Sequence, residues 1–476
     1  MGIVRKNGIL GNHSRNNMSV KNETIKNEQA ELVDDIGNDE IKNTMNEEPE
    51  LNEDVMAQLK AKMAAKKAEE PKSEDKAMGV KIVEEVKRSV EFGIIGAGHC
   101  GSRIAQSFYE LNYPAVCFNT ASVDLQLIKI PENQKLLLNY TAGGAARDRS
   151  VGEQSVRAYH DEINNLVAEN LSDSHIFLFT CSLSGGSGSG AIVPTIELLS
   201  SYGKPIIVLA VLPMGSDDGK QNALLALNQL SKLLQDKVIV NLIIVDNSKL
   251  ESMYSDVSSV DLFEFTNNLI AKEIDELNRY SASPSRIQAF DSMEFIKVLC
   301  DGQGMSIFGS VQVDNYSEIT SLAESIINGL EKGLLADGFS LDQTRYAGVI
   351  FAANKNVIKS IPSSSINYAM SIIKETCPSS SVFKGIYEDD SLGDFVKIEF
   401  IFSGLGHPLN RIEKLRSDSK EEAARSKGRE EKRNLTLDLD IGEKNANAAD
   451  QIKELIKNKS SVFNKNFVGI KDFRKK

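Results

Sequence analysis

The sequence predicts an α/β protein: a mostly parallel sheet covered by helices, a long central helix, and a smaller second domain of mixed α/β character. Three observations predict it. Between residues 91 and 245, short apolar runs alternate with amphipathic stretches, which is the pattern of a parallel sheet with both faces covered. A longer helical stretch follows at 260–280. After it the alternation breaks, and strand-like runs stand at 305–313, 346–353, 382–388 and 396–402.

Taken in order, the strands expected in the first part are 91–95, 114–119, 135–138, 175–180, 205–212 and 238–245, with helices between them. Aromatic residues bound this folded region: none precedes Phe92, and none lies between Phe402 and Phe463. Residues 1–90 are rich in Asn, Glu, Lys and Asp, cannot bury enough apolar surface to fold alone, and read as a disordered extension with a solvated helix at 53–70. Residues 404–462 are charged and helix-prone, and read equally as a packed helix or as a solvated helix or tail. The expected partition is therefore 1–90, 91–258, the central helix 259–282, a second domain 283–404, and a tail 405–476.

The net charge of −12 over 476 residues argues against a general nucleic-acid coat. Five scattered cysteines without paired spacing fit reduced thiols and a cytoplasmic location. No apolar run reaches the ~20 residues of a membrane helix, and the N-terminus lacks a signal-peptide pattern.

Residues 181–190 read CSLSGGSGSG, between an apolar strand and a helix-like stretch. Gly185, Gly186, Ser187, Gly188, Ser189 and Gly190 can wrap backbone N–H groups around an anion at a helix N-terminus. The first strand ends in GAGHCG, where Gly96, Gly98 and Gly101 enclose His99 and Cys100 as G-x-G-x-x-G. Alone this is a dinucleotide fingerprint and admits an NAD-dependent oxidoreductase. However, the second strand ends in Asn119-Thr120 rather than an acid for the ribose, and a second glycine loop is superfluous in that chemistry. Two glycine loops at one sheet edge suit one nucleotide with several phosphates. A third loop, Gly143-Gly144-Ala145-Ala146-Arg147-Asp148 after the third strand, reads as a terminal-phosphate contact or as a surface turn. For His99 a helix-cap or core role is favoured over catalysis. Asp291 and Glu294, spaced i, i+3, read either as acids that position a water or as favourable charge at a helix N-terminus.

The ordered loops G-x-G-x-x-G, Asn119-Thr120, GGAARD and GGSGSG resemble those of the tubulin/FtsZ superfamily of GTPases, with Ser where Thr is commoner. Gly144 to Arg147, Val151-Gly152-Glu153, residues 245–250 (VDNSKL), 290–295 (FDSMEF) and Ser403-Gly404-Leu405 look most like its TubZ branch, found on plasmids and phages. The resemblance implies a tubulin/FtsZ-like fold, GTP and GDP as ligands, and Mg²⁺, with no ligand for the metal nameable from sequence. It implies that Asn247 and Asn267 bond the guanine, with Phe263 or its rival Phe265 against the base, and that Asp217 or Asp218 lies at the ribose. It also implies that Glu294, supported by Asp291, completes the active site of the next subunit, so that head-to-tail self-assembly makes a filament. The basic, Phe-bearing segment 457–476 would engage a DNA-bound adaptor, or be a solvated tail. The function implied is a GTP-hydrolysing filament that segregates plasmid or phage DNA. Rivals are an FtsZ-like division or phage-positioning filament, a non-hydrolysing scaffold, and the oxidoreductase.

Overall fold

The structure is a computed structural model and describes residues 86–431, apart from 142, 216, 259–260 and 333–337. The expectations for 1–85 and for 457–476 lie outside the described residues.

The chain opens with β1 (Phe92–Ala97), α1 (Gly98–Glu110), β2 (Ala115–Asn119), α2 (Ser122–Gln126), β3 (Lys135–Leu137), α3 (Arg149–Ala158) and α4 (His160–Leu171). It continues through β4 (Ile176–Ser182), α5 (Ser187–Ser200), β5 (Ile206–Leu212), α6 (Lys220–Gln235), β6 (Asn241–Asp246) and α7 (Asn247–Met253). The central helix is α8 (Leu262–Ala282), followed by α9 (Ser292–Cys300), β7 (Gly304–Val313), α10 (Ser321–Lys332) and β8 (Tyr346–Ala353). The last elements are α11 (Lys355–Ser360), α12 (Ser363–Thr376), β9 (Ser381–Glu388), β10 (Val396–Leu405) and α13 (Leu409–Glu431).

β1, β4 and β5 are apolar along their length (FGIIGA, IFLFTCS, IIVLAVL) and nearly every residue in them is buried. Strands of that kind need helices on both faces, which the intervening α segments supply. The central helix buries Leu262, Thr266, Ile270, Ile274 and Leu277 at helical spacing, and from Glu273 to Asn278 it is buried on every side.

The strands form one 10-stranded sheet in the order β3-β2-β1-β4-β5-β6-β7-β10-β8-β9. From β3 to β7 every pairing is parallel, β10 is antiparallel to both β7 and β8, and β8 and β9 are parallel again. The strands expected to stand in a separate second domain thus continue the first sheet. The join is short: β7 meets β6 only at Asn241↔Gly304, Leu242↔Met305 and Ile243↔Ser306.

Two boundaries differ from the sequence expectation. Residues 88–90, placed in the extension, are packed: Ser89 is 2% and Val90 0% exposed. Arg88 pairs with Asp275 at 2.8 Å, and the Asn278 side chain exchanges two hydrogen bonds with the Val90 backbone. For the charged segment after 404, the packed-helix alternative holds through α13, which lies against α6 and buries Arg411 on Asp246 at 2.5 Å.

Candidate functional site

Parallel strands carry their loops to one edge, and the loops after β1, β3 and β4 meet there around a cleft of about 360 Å³. Both α1 and α5 begin at this cleft, and neither has a side-chain cap, so their first backbone N–H groups have no side-chain acceptor. By contrast, Asp148, Asp246 and Asp291 cap α3, α7 and α9. Two uncapped helix N-termini converging on one cavity make an anion site, since both the N–H groups and the helix dipoles favour negative charge.

The loops fit closely. Gly98 has φ +70, a region open to glycine, and a Cβ there would lie 2.9 Å from the Gly188 nitrogen. At Gly101 a Cβ would lie 2.1 Å from the Thr180 carbonyl oxygen, so only glycine lets α1 approach β4. Thr120 and Ser187 bring their hydroxyls within 2.6 Å. The Asn222 amide, on α6, donates to the Arg147 carbonyl at 2.9 Å and the Ser184 carbonyl at 3.1 Å, and so ties the third loop to the second. Ala146 (φ 45) and Arg147 (φ 65) are consecutive non-glycine residues in left-handed conformation. Such a pair costs about 1–2 kcal/mol per residue and persists because its neighbours hold it.

Residues 91–255 match the model of the Tubulin/FtsZ family, GTPase domain. The chain carries a tubulin/FtsZ GTPase domain. The tubulin-like protein TubZ of Bacillus cereus is 27% identical over 273 residues, 52% of this chain and 62% of the relative, so the match spans less than two thirds of that protein. The tubulin-like protein CetZ of Thermococcus kodakarensis is 26% identical over 364 residues, covering 73% of this chain and 91% of the relative. The fold is also that of a GTPγS-form protofilament of Bacillus thuringiensis serovar israelensis TubZ, at a TM-score of 0.66 and 20% identity over 72% of this chain and 94% of that one.

In this GTPase domain, Gly98, His99, Cys100, Asn119, Gly144, Ala145, Ala146, Arg147, Gly185, Gly186, Ser187 and Gly188 line the cleft. Gly96 and Gly101 lie behind it, against one another and β4. Ser189 and Gly190 are inside α5, where the Ser189 hydroxyl donates to the Gly185 carbonyl and Gly190 abuts the Arg149 carbonyl. His99 is neither cap nor core: its side chain is 40% exposed, with Nδ1 3.7 Å from Asp124. Desolvation pushes the Cys100 thiol up to about 12, away from the thiolate form.

Arg147 is engaged already, with Asp218 at 3.0 Å. Asp217 accepts from the Met214 N–H at 3.0 Å and closes its own turn. The two aspartates are therefore tied to loop structure. Arg103 of α1 lies 3.9 Å from Glu264, which sets the start of α8 beside α1. Asn267, 9% exposed, and half-buried Phe263 sit on that first part of α8, and Asn247 opens α7 after β6. Phe265 is exposed and turns to Tyr254, ring centroids 5.0 Å apart. Sequence reasoning missed Ala121, Asp124, Ser182 and Ser184 in the lining, and Glu422, which accepts from the Gly219 and Lys220 N–H groups at 3.0 and 3.3 Å. The lining serines had a signal, a polar edge to the β4 loop; Glu422, some 200 positions away, had none.

Asp291 and Glu294 form a reciprocal capping box. Asp291 accepts from the Met293 and Glu294 N–H groups, each at 2.9 Å, and Glu294 accepts from the Asp291 N–H at 3.1 Å. Desolvation, with the adjacent Asp291 charge adding to it, raises the Glu294 carboxyl above its ordinary value. The pair lies far from the cleft. Ser292 touches Ser89, which precedes β1, whereas the cleft opens after β1. The six residues of β1 separate them by ~20 Å.

Proposed function

We propose that this chain binds GTP in the cleft and hydrolyses it within head-to-tail filaments of its own copies. One observation carries the reading: the anion cleft and the acid pair occupy opposite ends of the sheet, so neither end alone holds a complete site, and a translated copy brings the two together. A heterologous contact of this kind does not close and so propagates. The uncapped N-termini of α1 and α5 bind the phosphates, with the Ser187 and Thr120 hydroxyls beside them. Asn247, Asn267 and Phe263 meet the base, and Asp217 or Asp218 the sugar. The partner copy's Glu294, its carboxyl raised and aided by Asp291, orients the attacking water and takes its proton.

The uncapped N–H groups fit a nucleotide's phosphates. Among the described residues no group of three or more His, Cys, Asp or Glu side chains could hold a metal, which fits a Mg²⁺ that arrives on phosphate oxygens and keeps its waters. When bound it would neutralise charge on the phosphoryl group.

The filament, on this reading, segregates plasmid or phage DNA in the cytoplasm, with the basic segment 457–476 engaging a DNA-bound adaptor. Light scattering with GTP, GDP and a slowly hydrolysed analogue tests the first part. GTP should drive assembly, GDP should not, and the analogue should give filaments that persist; preference for NAD over GTP overturns it. Deleting 457–476 should abolish adaptor capture and leave turnover intact. A filament with no adaptor points instead to division or phage positioning.

A further inference from the structure

Asp291 lies between two pinned neighbours. Before it, Phe290 is held by Tyr387 of β9: the Phe290 N–H donates to the Tyr387 hydroxyl at 2.9 Å, and that hydroxyl donates to the Phe290 carbonyl at 3.0 Å. After it, the Ser292 hydroxyl lies 2.7 Å from that of Ser89, which also accepts from the Ser281 hydroxyl at 2.8 Å. Ser89 and Tyr387 are each 2% exposed, and the Tyr387–Phe290 and Ser281–Ser89 bonds are buried, whereas the Ser89–Ser292 bond is part-buried.

The capping box fixes how Asp291 and Glu294 stand to each other, but not how the pair stands to the sheet. The body of α9 is anchored by buried Phe295, Val298 and Leu299. The N-cap ahead of it, Asp291, takes its direction from the tethers at 290 and 292, and Glu294, in the first turn of α9, is bonded to that cap. Those tethers come from two different strands of the sheet. Ser89 belongs to the base of β1, clamped on α8 through Asn278 and Arg88, and the far end of β1 is the first cleft loop. Tyr387 belongs to β9, the far edge of the sheet.

We propose that Ser89 and Tyr387 are positioning residues that aim the Asp291–Glu294 pair, Ser89 relaying the placement of β1 and Tyr387 that of β9. The inference rests on the filament reading above. An error of ~1 Å in a reacting group can cost about 10²-fold in rate, so loosening either tether should lower turnover without touching GTP binding.

The test uses the full chain with Ser89→Ala and, separately, Tyr387→Phe, which keeps the ring and removes only the hydroxyl. Four quantities are read: GTP affinity of the unassembled chain, the protein concentration at which GTP drives assembly, turnover per subunit in filaments, and melting temperature. The expected result is affinity and assembly concentration within about twofold of wild type, and turnover lower by roughly fivefold or more. Each variant is judged separately, and a residue whose variant keeps wild-type turnover has no positioning role. Affinity and melting temperature falling in step with turnover would reduce the tethers to plain stability and overturn the proposal. Wild-type chain that assembles without turning over GTP overturns the filament GTPase reading, and this inference with it.

Discussion

At Glu294 one carboxylate has a structural duty and, on the reading proposed above, a catalytic one. Its Oε2 accepts the Asp291 N–H within the chain, and its partly desolvated carboxyl is raised above its ordinary value. The two duties separate by substitution. In Glu294→Gln the amide oxygen can still take the Asp291 N–H, so the cap survives. We expect its melting temperature to match wild type while GTP turnover in filaments falls by about 10²-fold or more. Glu294→Ala should lose turnover equally and about 0.5–1.5 kcal/mol of stability for the missing bond. Denaturant melts beside a phosphate-release assay measure both, and wild-type turnover in Glu294→Gln would remove the residue from the chemistry. The i, i+3 spacing exposed the pair in the sequence, and the capping box shows the structural side of that spacing, a charged cap at a helix start.

Among the elements, α13 is the one whose place depended most on distant residues. Its charge run, SKEEAARSKGREE, looks the same whether solvated or paired. The decision lies in Arg411, which reaches Asp246 at 2.5 and 3.0 Å across 165 positions of chain, and in Glu422, which caps the N-terminus of α6. Asp246 also caps α7, at whose start Asn247 stands. Arg411→Ala would leave a carboxylate buried without its partner, and such losses cost about 3–5 kcal/mol. Chemical denaturation should show that loss, and GTP affinity should drop with it because α7 begins at the affected carboxylate. A loss below about 1 kcal/mol would mean that α13 is only laid on the surface.

Over the whole molecule, α8 is the axis between the cleft and the acid pair, 21 residues or ~31 Å long. Its side facing β7 and β10 carries a buried ionisable cluster. Lys397 bridges Glu276 at 2.6 Å and Glu399 at 2.9 Å, and Glu273 accepts from the Ser310 hydroxyl at 3.2 Å. Burial raises the carboxyls of Glu273 and Glu399 to about 8 each, the Lys397 charge opposing it at Glu399. The folded Glu273 therefore keeps its proton where the unfolded chain, with its ordinary carboxylate near 4.5, has released it. The folded state binds more protons over that interval, so its stability falls as pH rises from about 4.5 to about 8 and levels beyond. Glu273→Gln, neutral at all pH, should match wild type near pH 5 and melt several degrees above it near pH 8. A constant difference across that range would show that Glu273 ionises normally.

By itself the sequence determined what is local: the apolar strands, their order, the three glycine loops, and the i, i+3 acids at a helix start. Each of these is written within a few neighbouring residues, because strand burial, helix periodicity and tight turns act over one element. Only the tertiary structure decided what depends on distance. It left α1 and α5 uncapped at one cleft and turned Asp217 and Asp218 to loop contacts. It drew residues 88–90 and α13 into the core and ran the second set of strands on from β6. It also set the acid pair some 20 Å from the cleft of its own chain. A parallel sheet sends the ends of its strands to opposite edges, so where a residue falls along the sheet, which no local pattern states, fixes which half of the site it can serve.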